Sequence, residues 1–100
     1  MSAPDAEAPA DALVREIPII NPKGLHARAS ARFVQTVEKF DAEVTVSRCG
    51  ETVGGTSIMG ILMLTAANGT TIRVTARGPE AGAAMEAIAT LCAEGFGELD

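Results

Sequence analysis

Three stretches of this chain carry apolar residues at every second position, on one side only. Ile17 and Ile19, then Val44 and Val46, then Ile72, Val74 and Ala76 alternate with polar neighbours. A shorter stretch, Thr52 to Gly54, follows Arg48-Cys49-Gly50-Glu51, which reads as a hairpin turn with Gly50 at positive φ. A strand with one apolar face must cover that face and can leave the other to water. The chain is therefore expected to build an antiparallel sheet with helices on one side.

The helical spacings supply the cover. From Ala27 to about Lys39, Ser30, Phe33, Val34 and Val37 share one face, while Arg28, Arg32 and Lys39 leave it. Phe40 is expected to pack beneath that helix. Ile58 to Leu64 makes about two turns, capped by Thr56 or Ser57. Ala81, Ala84, Met85, Ile88, Leu91 and Cys92 form the core stripe of a last helix, with Pro79 and Glu80 in its first turn. Gly95 and Gly97 let it end, leaving Phe96 and Leu99 to pack loosely.

Leu13 to Ile20 is the first strand, where Pro18 marks an end or an edge. Asn68-Gly69 makes a turn, and Thr70 to Arg77 is the last strand. The order strand, helix, strand, strand, short helix, strand, helix predicts an α+β open-faced sandwich: a four-stranded antiparallel sheet with helices packed on one face. A ferredoxin-like fold has nearly the same order, apart from the short helix, and is the competing architecture.

With 100 residues the chain makes one domain, read as residues 13–100 after a disordered tail of Ala, Pro, Asp and Glu at 1–12. There is no Trp and no Tyr, so the core must be aliphatic and tyrosine phosphorylation is excluded. The longest apolar run, Ile58 to Leu64, contains a glycine and is too short for a bilayer, so no membrane insertion is expected. The N-terminus begins acidic and lacks the apolar segment of a secretory signal. Cys49 and Cys92 show neither a CxxC nor a metal-ligand spacing, and two such thiols fit a reducing cytoplasm without a metal. Cys49 reads as an exposed thiol at a hairpin tip, Cys92 as a buried small hydrophobe. A net charge of −5 argues against nucleic acid as a partner.

Against that charge, residues 21–40 hold Lys23, Arg28, Arg32 and Lys39 with Glu38 as the single acid. The basic island surrounds His26, the only histidine, which falls at the N-cap of the first helix or just before it. Pro22 and Gly24 break what precedes it, and Gly24 can take the positive φ of a sharp turn. A helix start presents unpaired amides and a partial positive charge, which favour an anion and an uncharged imidazole. A phosphoryl group on the ring would meet the backbone N–H groups of Ala27 and Arg28 and the guanidinium of Arg28. The bland alternative is a histidine that merely caps the helix. The short helix is apolar nearly all round, so some of Ile58, Met59, Leu62 and Met63 should be exposed and form a docking surface.

Two motifs carry a family resemblance. The run Pro22-Lys23-Gly24-Leu25-His26-Ala27-Arg28, then Thr56-Ser57-Ile58-Met59-Gly60-Ile61-Leu62-Met63-Leu64 with Asn68-Gly69-Thr70, resembles HPr. HPr is the histidine-containing phosphocarrier of the bacterial phosphoenolpyruvate-dependent phosphotransferase system. The resemblance implies that His26 takes a phosphoryl group on its pros nitrogen from Enzyme I and passes it to an Enzyme IIA component, with Arg28 as helper. It implies a cytoplasmic monomeric carrier rather than an enzyme, with no cofactor, in either the sugar-transport or the nitrogen-related branch. Ser57 matches the serine that an HPr serine kinase/phosphorylase modifies in some bacteria. One departure is Ala29, where the family usually has proline. The competing function is a ferredoxin-like domain that binds a small regulatory molecule, with His26 incidental.

Overall fold

The computed structural model describes residues 12–97. All but the last residue of the tail expected at 1–12 lies outside the described residues, as does Leu99. The elements are β1 (Leu13–Pro18), α1 (Ala27–Val37), β2 (Glu43–Arg48), β3 (Glu51–Gly54), α2 (Ile58–Met63), β4 (Thr71–Arg77) and α3 (Ala81–Ala93), closed by a short turn at Gly95–Gly97. The strands form one sheet in the order β1-β4-β2-β3, and every pairing is antiparallel.

That topology decides between the two architectures. A ferredoxin-like sheet sets its first strand in the interior, between two antiparallel neighbours. Here β1 lies at an edge and pairs with β4 alone, so the fold is the open-faced sandwich. The edge position also accommodates Pro18, which has no N–H to give a second neighbour. It ends β1 two residues earlier than the alternation predicts, although Ile19 still donates to the Thr70 carbonyl at 2.8 Å.

Alternation places the core as expected. Ile17, Val44, Val46, Ile72, Val74 and Ala76 are buried and meet Ala29, Phe33, Val34 and Val37 of α1 and Ala84, Met85 and Ile88 of α3. The opposite face stays open to water, where Glu16–Arg73 and Glu43–Arg77 pair across strands at 2.7 and 2.8 Å. Such exposed pairs are worth about 0.2–1 kcal/mol each. The β2–β3 hairpin turns through Cys49 and Gly50, with φ of 52° and 84°. Two positive φ values match the twist of a two-residue hairpin loop.

Four expectations need correction. First, α1 ends at Val37 rather than near Lys39, because Lys39 and Phe40 donate to carbonyls three residues back and tighten the last turn. Second, Pro79 and Glu80 precede α3 instead of forming its first turn. The Glu80 carboxylate turns away from its own helix and accepts from the Asp41 amide at 2.6 Å, while the Glu80 amide donates to the Asp41 carbonyl. Third, Leu91 is only half-buried. Fourth, Phe96 does not pack loosely. Gly95, Phe96 and Gly97 all take positive φ, which folds the chain back after α3 and leaves the ring 1% exposed in the core.

The two thiols differ as their environments require. Cys49 is exposed, whereas burial of Cys92 pushes its thiol up from 9.0 to about 12. A raised thiol pKa means the fold favours the protonated form. The associated stability is complete below 9.0 and is lost as pH rises toward about 12. At pH 8 a disulfide-exchange reagent should titrate one thiol in the native protein and both after denaturation. Two rapidly reacting native thiols would show that Cys92 is accessible.

Candidate functional site

The loop before α1 is built by its turn residues. Gly24 has φ of 64°, and its amide donates to the Asn21 carbonyl at 3.1 Å. The buried Asn21 side chain donates from Nδ2 to the Gly24 carbonyl at 2.8 Å, closing the same turn from the other side. The segment 66–70 braces it: Leu25 donates to the Ala66 carbonyl at 2.8 Å, Gly69 to that of Ile19 at 2.9 Å, and Asn68 Nδ2 to that of Ile20 at 3.0 Å. Buried Leu25 anchors the last residue before His26.

His26 is the N-cap of α1, with extended backbone at φ −75° and ψ −178°. Its carbonyl accepts the first helical bond, from Ser30 at 2.8 Å, and its Nδ1 accepts from the Arg28 amide at 3.2 Å. The ring is half-buried. An accepting Nδ1 carries a lone pair and no proton. A helix start at this point predicts that both the Ala27 and Arg28 amides are unpaired. In the structure the ring itself takes the Arg28 amide, and the Ala27 amide bonds to no described residue.

Around the ring an open depression is lined by Pro22, Lys23, His26, Ala27, Arg28 and Gly97. No carboxylate is among those residues. The Arg28 side chain is exposed beside the ring, and among the described residues it forms no ion pair. No group of His, Cys, Asp and Glu that could hold a metal is present among the described residues. Ala29, at the position where proline is usual, is fully buried and continues the helix.

The second predicted group lies on α2, which packs against α1. Ser57, not Thr56, is its N-cap, and the exposed hydroxyl accepts from the Gly60 amide at 3.0 Å. Ile61 turns into the core, while Ile58, Met59 and Met63 face solvent, the two methionines at 67% and 73% exposure. Leu62 is half-buried. Arg48 Nη1 holds the other end of α2 by donating to the Leu64 carbonyl at 3.0 Å.

The sequence and the fold are similar to those of known proteins. Residues 4–94 match the family model described as the PTS HPr component phosphorylation site. The chain belongs to the HPr family. It is similar to HPr from Cupriavidus necator, with 45% identity over 86% of this chain and 97% of that one. HPr from Neisseria meningitidis is 46% identical over the same shares. A crystal structure of HPr from Thermoanaerobacter tengcongensis superimposes with a TM-score of 0.83 at 37% identity, covering 86% of this chain and 97% of that one. HPr proteins are phosphocarriers of the phosphotransferase system, and this chain carries that family's open-faced sandwich. No helix among the described residues is long and apolar enough to cross a membrane.

The sequence reading missed two contributors to the site. Gly97 reaches the depression only because the chain folds back after α3, which no local signal announces. Asn21 was legible in principle: an Asn three residues before a glycine can close an Asx-type turn. Asn21→Ala should cost about 1–3 kcal/mol, because it leaves the buried Gly24 carbonyl without its donor. Denaturant unfolding measures this, and a change under about 0.5 kcal/mol would reject the bracing role.

Proposed function

We propose that His26 is a phosphoryl acceptor and donor, and that the protein is a stoichiometric carrier between Enzyme I and an Enzyme IIA component. The observation that carries this reading is the His26 Nδ1 lone pair, held at a helix start with the cationic side chains of Lys23 and Arg28 beside it.

In the transfer, Nδ1 gives its electron pair to the phosphorus of the donor's phosphohistidine. The donor's P–N bond breaks, and that electron pair returns to the donor's ring nitrogen. As Nδ1 turns from hydrogen-bond acceptor to phosphoryl bearer, the Arg28 amide is released from the ring and can donate to a phosphoryl oxygen. The Ala27 amide and the Arg28 guanidinium supply further donors. The reverse displacement hands the group to the next protein. No general acid is needed, since the leaving group is a ring nitrogen in both directions.

Ile58, Met59, Leu62 and Met63 form the apolar side of the docking surface, adaptable enough for successive partners. A phosphate placed on Ser57 by an HPr serine kinase/phosphorylase would put negative charge at the edge of that surface and weaken docking by repulsion. The carrier acts as a cytoplasmic monomer. Whether it serves sugar transport or the nitrogen-related branch is decided by which Enzyme I and which acceptor it engages.

Incubation with phosphoenolpyruvate and a competent Enzyme I tests the reading. One acid-labile, base-stable phosphate per chain is expected on His26, and it should move on to an Enzyme IIA. No label on the wild-type protein would overturn it, leaving His26 as a cap.

A further inference from the structure

Two of the chain's four methionines stand on the exposed side of α2, Met59 at 67% and Met63 at 73% exposure. They are four positions apart, so both sulfurs lie on one helix face. Met85, in contrast, sits in the core at 3% exposure. What holds α2 in place is its buried Ile61, the Ser57 cap and the bond from Arg48 to the Leu64 carbonyl. Chemistry at the two exposed sulfurs therefore changes the surface and spares the fold. We propose that Met59 and Met63 form a reversible oxidation site, through which a peroxide weakens the docking of this carrier to its partners. The proposal rests on the docking reading of α2 and adds its regulation.

A thioether needs no deprotonation before it is oxidised, so access to the sulfur governs the reaction. The sulfur lone pair attacks one oxygen of hydrogen peroxide, the O–O bond breaks, and an S–O bond forms. The departing hydroxide takes the proton left on the transferred oxygen and becomes water. Sulfur is thereby oxidised and the peroxide reduced. A methionine sulfoxide reductase reverses the change, its two thiols closing to a disulfide while the oxygen leaves as water. The sulfoxide puts a strong acceptor where an adaptable apolar side chain stood. In the free protein water satisfies that oxygen. Against a partner's apolar surface it loses the water without gaining a donor, and the complex is destabilised. The residues lining the His26 depression contain no sulfur, so the phosphoryl chemistry itself is left intact.

The test uses the full chain, hydrogen peroxide as oxidant and phosphorylated Enzyme I as donor. Mass mapping should find one added oxygen at Met59 and one at Met63 before Met85 gains any. The second-order transfer rate of the treated wild type should then fall about tenfold. The phosphohistidine half-life and the thermal midpoint should not move, and sulfoxide reductases for both sulfur epimers should restore the rate. Met59→Leu/Met63→Leu, read against its own untreated rate, keeps Met1, Met85, Cys49 and Cys92 and should not respond to peroxide. Early oxidation of Met85, an unchanged rate in the doubly oxidised wild type, an equal fall in the double variant, a shortened phosphohistidine half-life, or a fall that outlasts removal of the sulfoxides would each overturn the proposal. Untreated Met59→Glu/Met63→Glu tests the docking reading by itself and should also transfer slowly. Slow transfer there beside an undiminished oxidised wild type rejects only the oxidation site, whereas a normal rate rejects the docking surface and the proposal with it. An untreated wild type that takes no label from a competent Enzyme I overturns the carrier reading beneath both.

Discussion

His26→Asn should fold with its stability nearly unchanged and accept no phosphoryl group at all. The two halves of that result separate the two tasks the residue performs. As N-cap, His26 offers Nδ1 to the Arg28 amide at 3.2 Å, and an asparagine side-chain oxygen can accept from the same donor. Asparagine is among the favoured N-cap residues, so the change in unfolding free energy should stay within about 0.5 kcal/mol. As a nucleophile, however, an amide nitrogen has its lone pair delocalised into the carbonyl and cannot displace the donor's ring. Label from phosphoenolpyruvate and Enzyme I should fall to background. His26→Ala removes both functions: no label, and a loss of about 1 kcal/mol from the missing cap. Retained acid-labile label in His26→Asn would show that the phosphoryl group sits elsewhere and that the histidine only caps.

The second large effect is structural and reaches the site through the backbone. Gly24→Ala should destabilise the protein by about 3 kcal/mol, of which about 1 comes from forcing an alanine into positive φ. The remainder comes from collision. A Cβ at residue 24 would run into the Ala66 carbonyl and lie 2.8 Å from Ala67 Cα, both backbone groups that no rotamer change can move. That Ala66 carbonyl also accepts the Leu25 amide, so displacing it loosens the residue just before His26. For a domain of this size the loss corresponds to a fall in Tm of roughly 12–24 °C. Gly69→Ala is the matched control, since Gly69 has φ of 91° with nothing within 4 Å of its Cβ position. It should show the backbone cost alone, about 1–2 kcal/mol. Equal losses at the two positions would mean that close approach to residues 66 and 67 is not what demands glycine at 24.

Much of the candidate site was readable because its determinants are local. Pro22, Gly24 and the switch from alternating to helical spacing after Leu25 define a turn that enters a helix, which puts His26 at the N-cap or just before it; the structure makes it the N-cap. The exposure of Ile58, Met59 and Met63 was also legible, because a two-turn helix that is apolar on all sides cannot bury all of them in so small a domain. What misled was equally local. Pro79 and Glu80 look like a helix start, but the Glu80 carboxylate and the Asp41 amide satisfy each other across 39 positions of sequence. Glycines on either side of Phe96 look like a loosening end, yet three positive φ values in a row drive the ring inward.

The sequence by itself determined the element types, their order, the inward faces of the strands and the place of the lone histidine. These follow from side-chain periodicity and from residues that constrain their own φ, which act over a few bonds. Only the tertiary structure decided the strand order β1-β4-β2-β3, the pairing of the Arg28 amide with Nδ1, and the arrival of Gly97 at the depression around His26. Those depend on which surfaces meet once every segment competes for the same apolar cover, a balance that no single stretch of chain contains.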